Sequence, residues 1–228
     1  YLRAPFQDPR FDRLFQARDV ADSPEAIADT FQLQGKSRDV FLDLFTDDLA
    51  PDPSRFRGEG VRIRYLGHAC VLIESSDVSI LCDPLVSNPN PSGMDRYSYA
   101  DLPDTIDYAM MTHNHQDHVM FETLLQLRHK IRNVVIPTGQ KGSLLDPSLK
   151  MTLERVGFNN IIEIEELQSI NVPNGEIVSL PVYGEHGDLN IATKNAYWVK
   201  LHGRSVICAA DSNNVDTTLY KHLRHLLG

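Results

Sequence analysis

Residues 110–119 read Met110-Met111-Thr112-His113-Asn114-His115-Gln116-Asp117-His118-Val119. An apolar run ends here in three histidines and an aspartate crowded into six positions. On an extended or turning backbone, side chains two apart point the same way, so His113 and His115 face one metal position together. Asp117 and His118 follow where a helix is expected to start, and they form a second position beside the first. Imidazole suits zinc, iron, copper and nickel, and a carboxylate hardens the site. Two metals side by side can activate water or dioxygen.

The chain around this cluster alternates strand and helix signals. VRIRYL (61–66), ACVLIE (69–74), VSILC (78–82) and DYAMMT (107–112) have the short apolar or alternating form of strands. Residues 119–130 predict a helix, with Met120, Leu124 and Leu127 on one face and Arg128 and Lys130 at its cation-tolerant end. NVVIP (133–137) is a buried-type strand. Asp146-Pro147 is expected to open a second helix carrying Leu149, Leu153 and Val156, stopped by Gly157. IIEI, QSINV, EIVSLPVY, AYWVKL and RSVICAA supply five more strands, and a last helix runs from about Val215. The expected class is α+β, with antiparallel sheets and helices outside them. Residues 1–60 differ: Ser23-Pro24-Glu25 looks like a helix start, Ser37 is expected to cap a second helix, and PDPSRFRGEG then breaks regular structure.

Composition narrows the function. The 228 residues are 42% hydrophobic and 23% charged, an ordinary globular balance. A net charge of −9 argues against nucleic acid or an anionic membrane as the main partner. No apolar run approaches the ~20 residues of a membrane span. Cys70, Cys82 and Cys208 lie inside apolar runs with no CxxC pair, so they are expected to be buried reduced thiols in a cytoplasmic protein.

The motif THNHQDH after an apolar strand resembles the signature of the metallo-β-lactamase superfamily. LGHACVLIE followed by ILCDP is similar to the opening strands of one of its branches. The resemblance covers residues 61–228 and implies an αβ/βα sandwich with two metals at one edge of two sheets. It leaves residues 1–60 as a lead-in, the end of an N-terminal domain through which a homodimer can form. Asp83 and His68 are then expected behind the ligands, Asp83 orienting a ligand histidine as outer carboxylates do. Asp211, after the strand RSVICAA, fits the bridging position.

Members of the superfamily place one more ligand between the cluster and that aspartate. The stretch PVYGEHGDLNI offers Glu185 and His186 side by side. A hydrolase of this fold takes a histidine, which points to His186. GEHGDL, however, resembles an unusual subgroup, the dinuclear-iron β-hydroxylases of chloramphenicol biosynthesis and their relatives, where a glutamate stands instead. Glu185 in that place makes the site harder and more anionic, which suits iron or manganese over zinc.

The resemblance therefore implies a diiron oxygenase that hydroxylates an amino acid tethered to a peptidyl carrier in antibiotic biosynthesis. Its two metal ions, iron favoured over zinc or manganese, are held by His113, His115, Asp117, His118, Glu185 and Asp211, with Glu185 and Asp211 also placed at the chemistry. The alternative is a phosphodiesterase- or lactonase-type hydrolase using His186 and a metal-bound hydroxide. The superfamily pattern ends with a further histidine. After Asp211 only His222 and His225 remain, on the expected last helix, so that ligand is expected to lie outside the chain and the domain to be truncated at its C-terminus. The long aperiodic stretch 85–103 offers Arg96, Tyr97 and Tyr99 as substrate contacts.

Overall fold

A computed structural model describes residues 2–46, 55–88, 95–139, 142–182, 191–212 and 217–227. Three short helices come first, α1 (Arg10–Gln16), α2 (Pro24–Thr30) and α3 (Gly35–Leu42). Strands β1 (Arg62–Gly67), β2 (Cys70–Glu74), β3 (Ser79–Cys82), β4 (Ile106–Met110), β5 (Ile131–Pro137) and β6 (Ile161–Ile164) follow, and they form one six-stranded sheet in that order. Helix α4 (Phe121–Leu127) joins β4 to β5, and α5 (Leu149–Arg155) joins β5 to β6. A second sheet holds β7 (Ser169–Val172), β8 (Gly175–Pro181), β9 (Asn195–Leu201) and β10 (Arg204–Cys208) in the order β10-β9-β8-β7, and α6 (Thr217–Leu227) comes last.

Strand direction decides where a site can form. β1, β2 and β3 pair antiparallel, whereas β3, β4, β5 and β6 pair parallel. Five of the six strands therefore point the same way and deliver their carboxyl ends to one edge. This corrects the expectation of antiparallel sheets: α4 and α5 are crossover helices, and a strand–helix–strand unit returns its second strand parallel to the first. The second sheet is antiparallel throughout, as expected.

Period-two alternation sorts the first sheet's side chains into two layers. Leu72, Leu81, Ile106, Ala109 and Val134 pack against Leu124 and Leu127 of α4 and Leu153 of α5. Ile73, Ile80, Met110 and Val135 point the other way, onto Ile177, Tyr197 and Val199 of the second sheet. The outer face of that sheet, with Val178, Leu180 and Trp198, is covered by Leu223 of α6. The result is the expected αβ/βα sandwich. Each fully buried aliphatic side chain contributes ~1.5–3 kcal/mol to holding the layers together. The three cysteines are buried and unbridged; burial pushes the Cys70 thiol up to about 12, and the contact with Cys208, together with burial, raises the Cys82 thiol well above its ordinary value. Such thiols are inert at neutral pH.

Local chemistry explains the helix starts. Ser23 caps α2 as expected, its hydroxyl accepting the Ala26 N–H at 3.1 Å with Pro24 in the first turn. α3 begins at Gly35 rather than after Ser37, because Gly35 takes a left-handed φ of +51° that turns the chain into the helix. α1 was not expected. Asp8 sets it up by accepting the Arg10 N–H at 2.9 Å and pairing its guanidinium, which holds the Asp8 carboxyl at about 2. α5 is capped by Ser148 and not opened at Asp146; the Asp146 carboxylate instead accepts the Ala192 and Thr193 N–H groups, both at 3.1 Å. Gly157 does end that helix region, at φ +97°, where a Cβ would strike the Arg128 guanidinium.

Helices α1–α3 share a small core of Ile27, Ala28, Phe31 and Phe41. Two cations at and just after the end of α4 pin them to the sandwich, Lys130 through Asp19 at 2.8 Å and Arg128 more extensively. Arg128, at the end of α4, donates to Asp12 at 2.8 Å, to the Phe6 carbonyl at 2.6 Å, to the Asp8 carbonyl at 3.0 Å and to the Val156 carbonyl. Replacing Arg128 with alanine strands these acceptors. We expect a loss of about 1–3 kcal/mol in urea denaturation, together with faster proteolysis inside residues 2–46. Unchanged cleavage there would show that the segment is held by other contacts.

Candidate metal centre

β4 delivers the histidine cluster to the shared sheet edge. Beyond Met110 the chain stays buried and is gripped from both sides: Met111 N–H donates to Val135 O at 2.9 Å, Tyr197 Oη donates to Met111 O at 2.9 Å, and Asn195 N–H donates to Thr112 O at 2.9 Å. His113 forms one bridge with Lys194, and the chain then turns. His118 and Val119 N–H both donate to the His115 carbonyl, at 3.1 and 2.8 Å. That turn, not the first turn of α4, carries Asp117 and His118. It brings the His118 ring back to 4.1 Å from the His113 ring.

The ligand-type atoms converge. His113 Nε2 lies 2.9 Å from His115 Nδ1, so these rings face one point as the i, i+2 spacing predicted. Asp211, one strand end away in the other sheet, turns its two oxygens to different histidines: Oδ2 is 3.5 Å from His113 Nε2 and Oδ1 is 3.3 Å from His118 Nε2. Asp117 Oδ2 is 3.9 Å from His118 Nε2 and 2.9 Å from His68 Nε2. Among the described residues two groups with metal-ligand spacing result, His113–His118–Asp211 and His68–Asp117–His118, each with its ligand atoms within 4.8 Å of one another. His68 thus stands beside Asp117, half-exposed, rather than in the core.

The residues fit a cation. His118 Nε2 is buried without a hydrogen-bond partner although two carboxylates face it. A buried polar atom left bare costs about 1–3 kcal/mol unless something binds it. Imidazole nitrogens with carboxylate oxygens are the donor set of zinc, iron and manganese sites.

Why His118 Nε2 is bare follows from the layer behind it. Asp83, buried at 1% exposure, accepts the Thr112 N–H at 2.8 Å, the Thr112 hydroxyl at 2.8 Å and His118 Nδ1 at 2.8 Å. The Thr112 oxygen lies 3.0 Å from His113 Nδ1 and accepts from it. Both imidazoles therefore keep their protons on Nδ1, one directly and one through Thr112, and present Nε2 lone pairs to Asp211. Burial pushes the Asp83 carboxyl above its ordinary range against the pull of the His118 and Thr112 donors. His118 is raised in spite of its own desolvation, because Asp83 sits against it. Asp83 thus lies behind the His118 ring, hydrogen-bonded to its Nδ1. Thr112 was missed. It ends a strand-like run, where a β-branched residue reads as strand propensity, although its position directly before His113 was visible.

Three backbones at the site sit in the left-handed region with side chains attached: His68 at φ +50°, Asp83 at φ +40° and Ala210 at φ +46°. The other candidates are dispersed. Arg96 and Tyr97 line a cavity that also includes His68. Tyr99 is turned inward into the main core, its hydroxyl 3.3 Å from Thr123 Oγ1 and its ring under Arg18 at 4.4 Å. His222 and His225 are exposed on α6. Glu185 and His186 lie outside the described residues.

This sandwich, with its paired ligand groups at one sheet edge, is that of a metallo-β-lactamase-type metalloprotein. Residues 62–212 match the β-lactamase superfamily domain, and the chain belongs to that family. It is 36% identical over 230 residues to the 4-amino-L-phenylalanyl-[CmlP-peptidyl-carrier-protein] 3-hydroxylase of Streptomyces venezuelae, covering 98% of this chain and 43% of that protein. It superposes on the crystal structure of CmlA, a diiron β-hydroxylase from the same organism, with a TM-score of 0.85 and 35% identity, over 100% of this chain and 42% of that one. The chain thus spans less than half the length of these relatives. A metal-dependent hydrolase of Mesorhizobium japonicum is 26% identical over 152 residues, 62% of this chain and 58% of that protein.

Asp83→Asn keeps the volume at the centre of the network but removes the charge that holds His118 Nδ1–H. We expect metal affinity, read by competition with a chelator, to fall about 10–100-fold. Thr112→Val should cost less and act through His113. Wild-type affinity in Asp83→Asn would mean that the ligand rings are oriented by something else.

Proposed function

We propose that this chain carries the metal centre of a dinuclear-iron oxygenase that hydroxylates the β-carbon of an amino acid held on a peptidyl-carrier domain. The observation that carries this reading is the likeness, from end to end of the chain, to a diiron β-hydroxylase at a TM-score of 0.85. The similar Streptomyces enzyme acts on a carrier-bound aromatic amino acid, and its sequence likeness covers 98% of the chain. The similarity to a hydrolase is lower and covers 62%.

In this reading His113, His115 and Glu185 hold one iron, Asp117 and His118 the other, and Asp211 bridges. The opposed oxygens of Asp211 support the bridge. For Glu185 the support is topological. β8 ends at Pro181, which pairs with Asn195, and Asn195 donates to Thr112 O at 2.9 Å, so the described chain flanking the GEHGDL stretch runs beside the histidine loop. Two irons held there would supply the redox chemistry of a hydroxylation. The protein's own work is geometric: Asp83 and Thr112 fix the imidazoles, and the sheet edge fixes the spacing. The three unbridged cysteines support a cytoplasmic setting. The separate small core of α1–α3 supports reading residues 1–60 as the end of an N-terminal domain.

Metal analysis of the protein at the full length of its relatives, grown without added zinc, tests this directly. We expect about two irons per chain with iron-type optical absorption. Glu185→Ala should lose iron while His186→Ala keeps it. Bound zinc, lost on His186→Ala and kept on Glu185→Ala, would overturn the oxygenase and assign the site to a hydrolase.

A further inference from the structure

Asp117 and His118 mark the second metal position, and a third nitrogen stands among their donor atoms. His68 Nε2 lies 2.9 Å from Asp117 Oδ2, and that oxygen lies 3.9 Å from His118 Nε2. The His68 and His118 ring centroids are 4.9 Å apart, with the rings tilted by 58°. All three donor atoms fall within 4.8 Å of one another. Donors about 2.1 Å from one ion are held about 3–4 Å apart. The three atoms are spaced for a single cation.

His118 supplies an observation independent of that spacing. It is 1% exposed, its Nδ1 is held by Asp83, and its Nε2 has no hydrogen-bond partner. With the proton on Nδ1, that nitrogen presents a lone pair to Asp117 and Asp211, whose carboxylates only accept. A cation is what satisfies all of them. Two imidazoles and one carboxylate on one side of an ion, with the other positions open, form the donor set of non-haem iron(II) oxygenase sites. His68, Asp117 and His118 are such a set. The position has open sides, because His68 lines one cavity with Tyr65 and Tyr97 and another with Asp83 and Asp211.

The backbone explains how His68 reaches this place. β1 and β2 join through a tight hairpin in which Gly67 pairs with Cys70 and the register shifts between Tyr65 and Gly67. Gly67 takes φ +120° and His68 takes φ +50°. Glycine or asparagine is the ordinary occupant of a left-handed hairpin position, and a larger side chain there is strained. Strain of this kind collects at ligand sites. Here it turns an imidazole over the sheet edge to Asp117.

We propose that His68 is a direct ligand of the ion held by Asp117 and His118, with Asp211 shared between this ion and the other. The inference rests on the two-metal reading of the site. It moves His68 from behind the ligands into their ring, and gives the second position a donor that the histidine loop does not contain.

The test is titration of cobalt(II), which takes the same nitrogen and oxygen donors, into the metal-free protein at the full length of its relatives. Binding and visible absorption are read, not activity. Wild type should take two ions. His68→Gly should keep the first and bind the second about 100-fold more weakly, the upper end of what losing a partner behind a ligand costs. The absorption of the second step should change, because a nitrogen has left the ion. Glycine relaxes the left-handed turn, so the metal-free variant should melt at or above the wild-type temperature, which excludes misfolding as the cause. Added N-methylimidazole should restore the second step in His68→Gly. It has a ring nitrogen for the metal but no N–H for Asp117, so this rescue separates ligation from a hydrogen bond to the carboxylate. His68→Gln, which keeps an N–H for Asp117, should stay weak. A second step untouched in His68→Gly, or restored by glutamine but not by N-methylimidazole, would overturn the proposal. A wild-type chain that takes one ion, weakened in His68→Gly, keeps His68 as a ligand and rejects the dinuclear reading; two ions bound alike by wild type and His68→Gly do the reverse.

Discussion

The Asp83 carboxylate accepts hydrogen bonds from the backbone and hydroxyl of Thr112 and from the His118 ring while almost wholly buried. A buried carboxylate costs several kcal/mol unless donors surround it. Here the donors come from the histidine loop itself, so the fold tolerates Asp83 only when that loop is in place. Asp83 follows β3 and Thr112 follows β4, and the two strands are parallel neighbours. The Asp83 N–H also donates to Met110 O at 2.8 Å. One residue thus closes the ends of two central strands and aims two imidazoles. Site geometry and sheet closure are the same set of bonds.

The wider fold supplies the rigidity this needs. Met110 and Ala109 are fully buried on opposite faces of β4, so the strand cannot slide or twist without opening a core. The second sheet reaches across through Tyr197 and Asn195 to the two residues before the cluster. A metal site works when its ligands are held by elements whose own packing is settled. The contrast lies at Asp117 and His68, which are half-exposed or more and lean on each other rather than on the core. The two flanks of the centre therefore differ in stiffness. The stiff flank carries His113, and the softer flank carries His68, which also lines a cavity with Tyr65 and Tyr97.

What the sequence disclosed depended on how local the signal was. His113 and His115 stood out because their relation is a strand's period of two, and Asp211 because the superfamily resemblance places an aspartate after that strand. Ser23-Pro24 announced α2 for the same reason. Strand direction was not local. The β4-α4-β5-α5-β6 run is a crossover series, but its helices have only seven residues each and it lies between hairpins, so the alternation was diluted. Thr112 looked like strand material because its hydroxyl acts through Asp83, 29 positions earlier. Tyr99 stood in an aperiodic stretch, and only the packed structure turns it inward under Arg18, which comes from the N-terminal segment.

The backbone at the site argues for an arrangement built before any ligand arrives. His68, Asp83 and Ala210 each take a left-handed φ, which costs a residue with a side chain about 1–3 kcal/mol. Two of them carry side chains of the site, and the third immediately precedes Asp211. Each follows a strand of the shared edge and turns the chain sharply enough to bring His68, Asp83 or Asp211 back over the sheet ends; all three residues line one cavity there. Glycine would relieve the strain at any of the three, but at two it would delete the functional group itself. At Ala210 it would loosen the turn that sets the distance from Asp211 to His113 and His118. The cost of these turns is borne by the packed strands behind them. The side chains carried by these turns are therefore held at this edge by the protein's own packing.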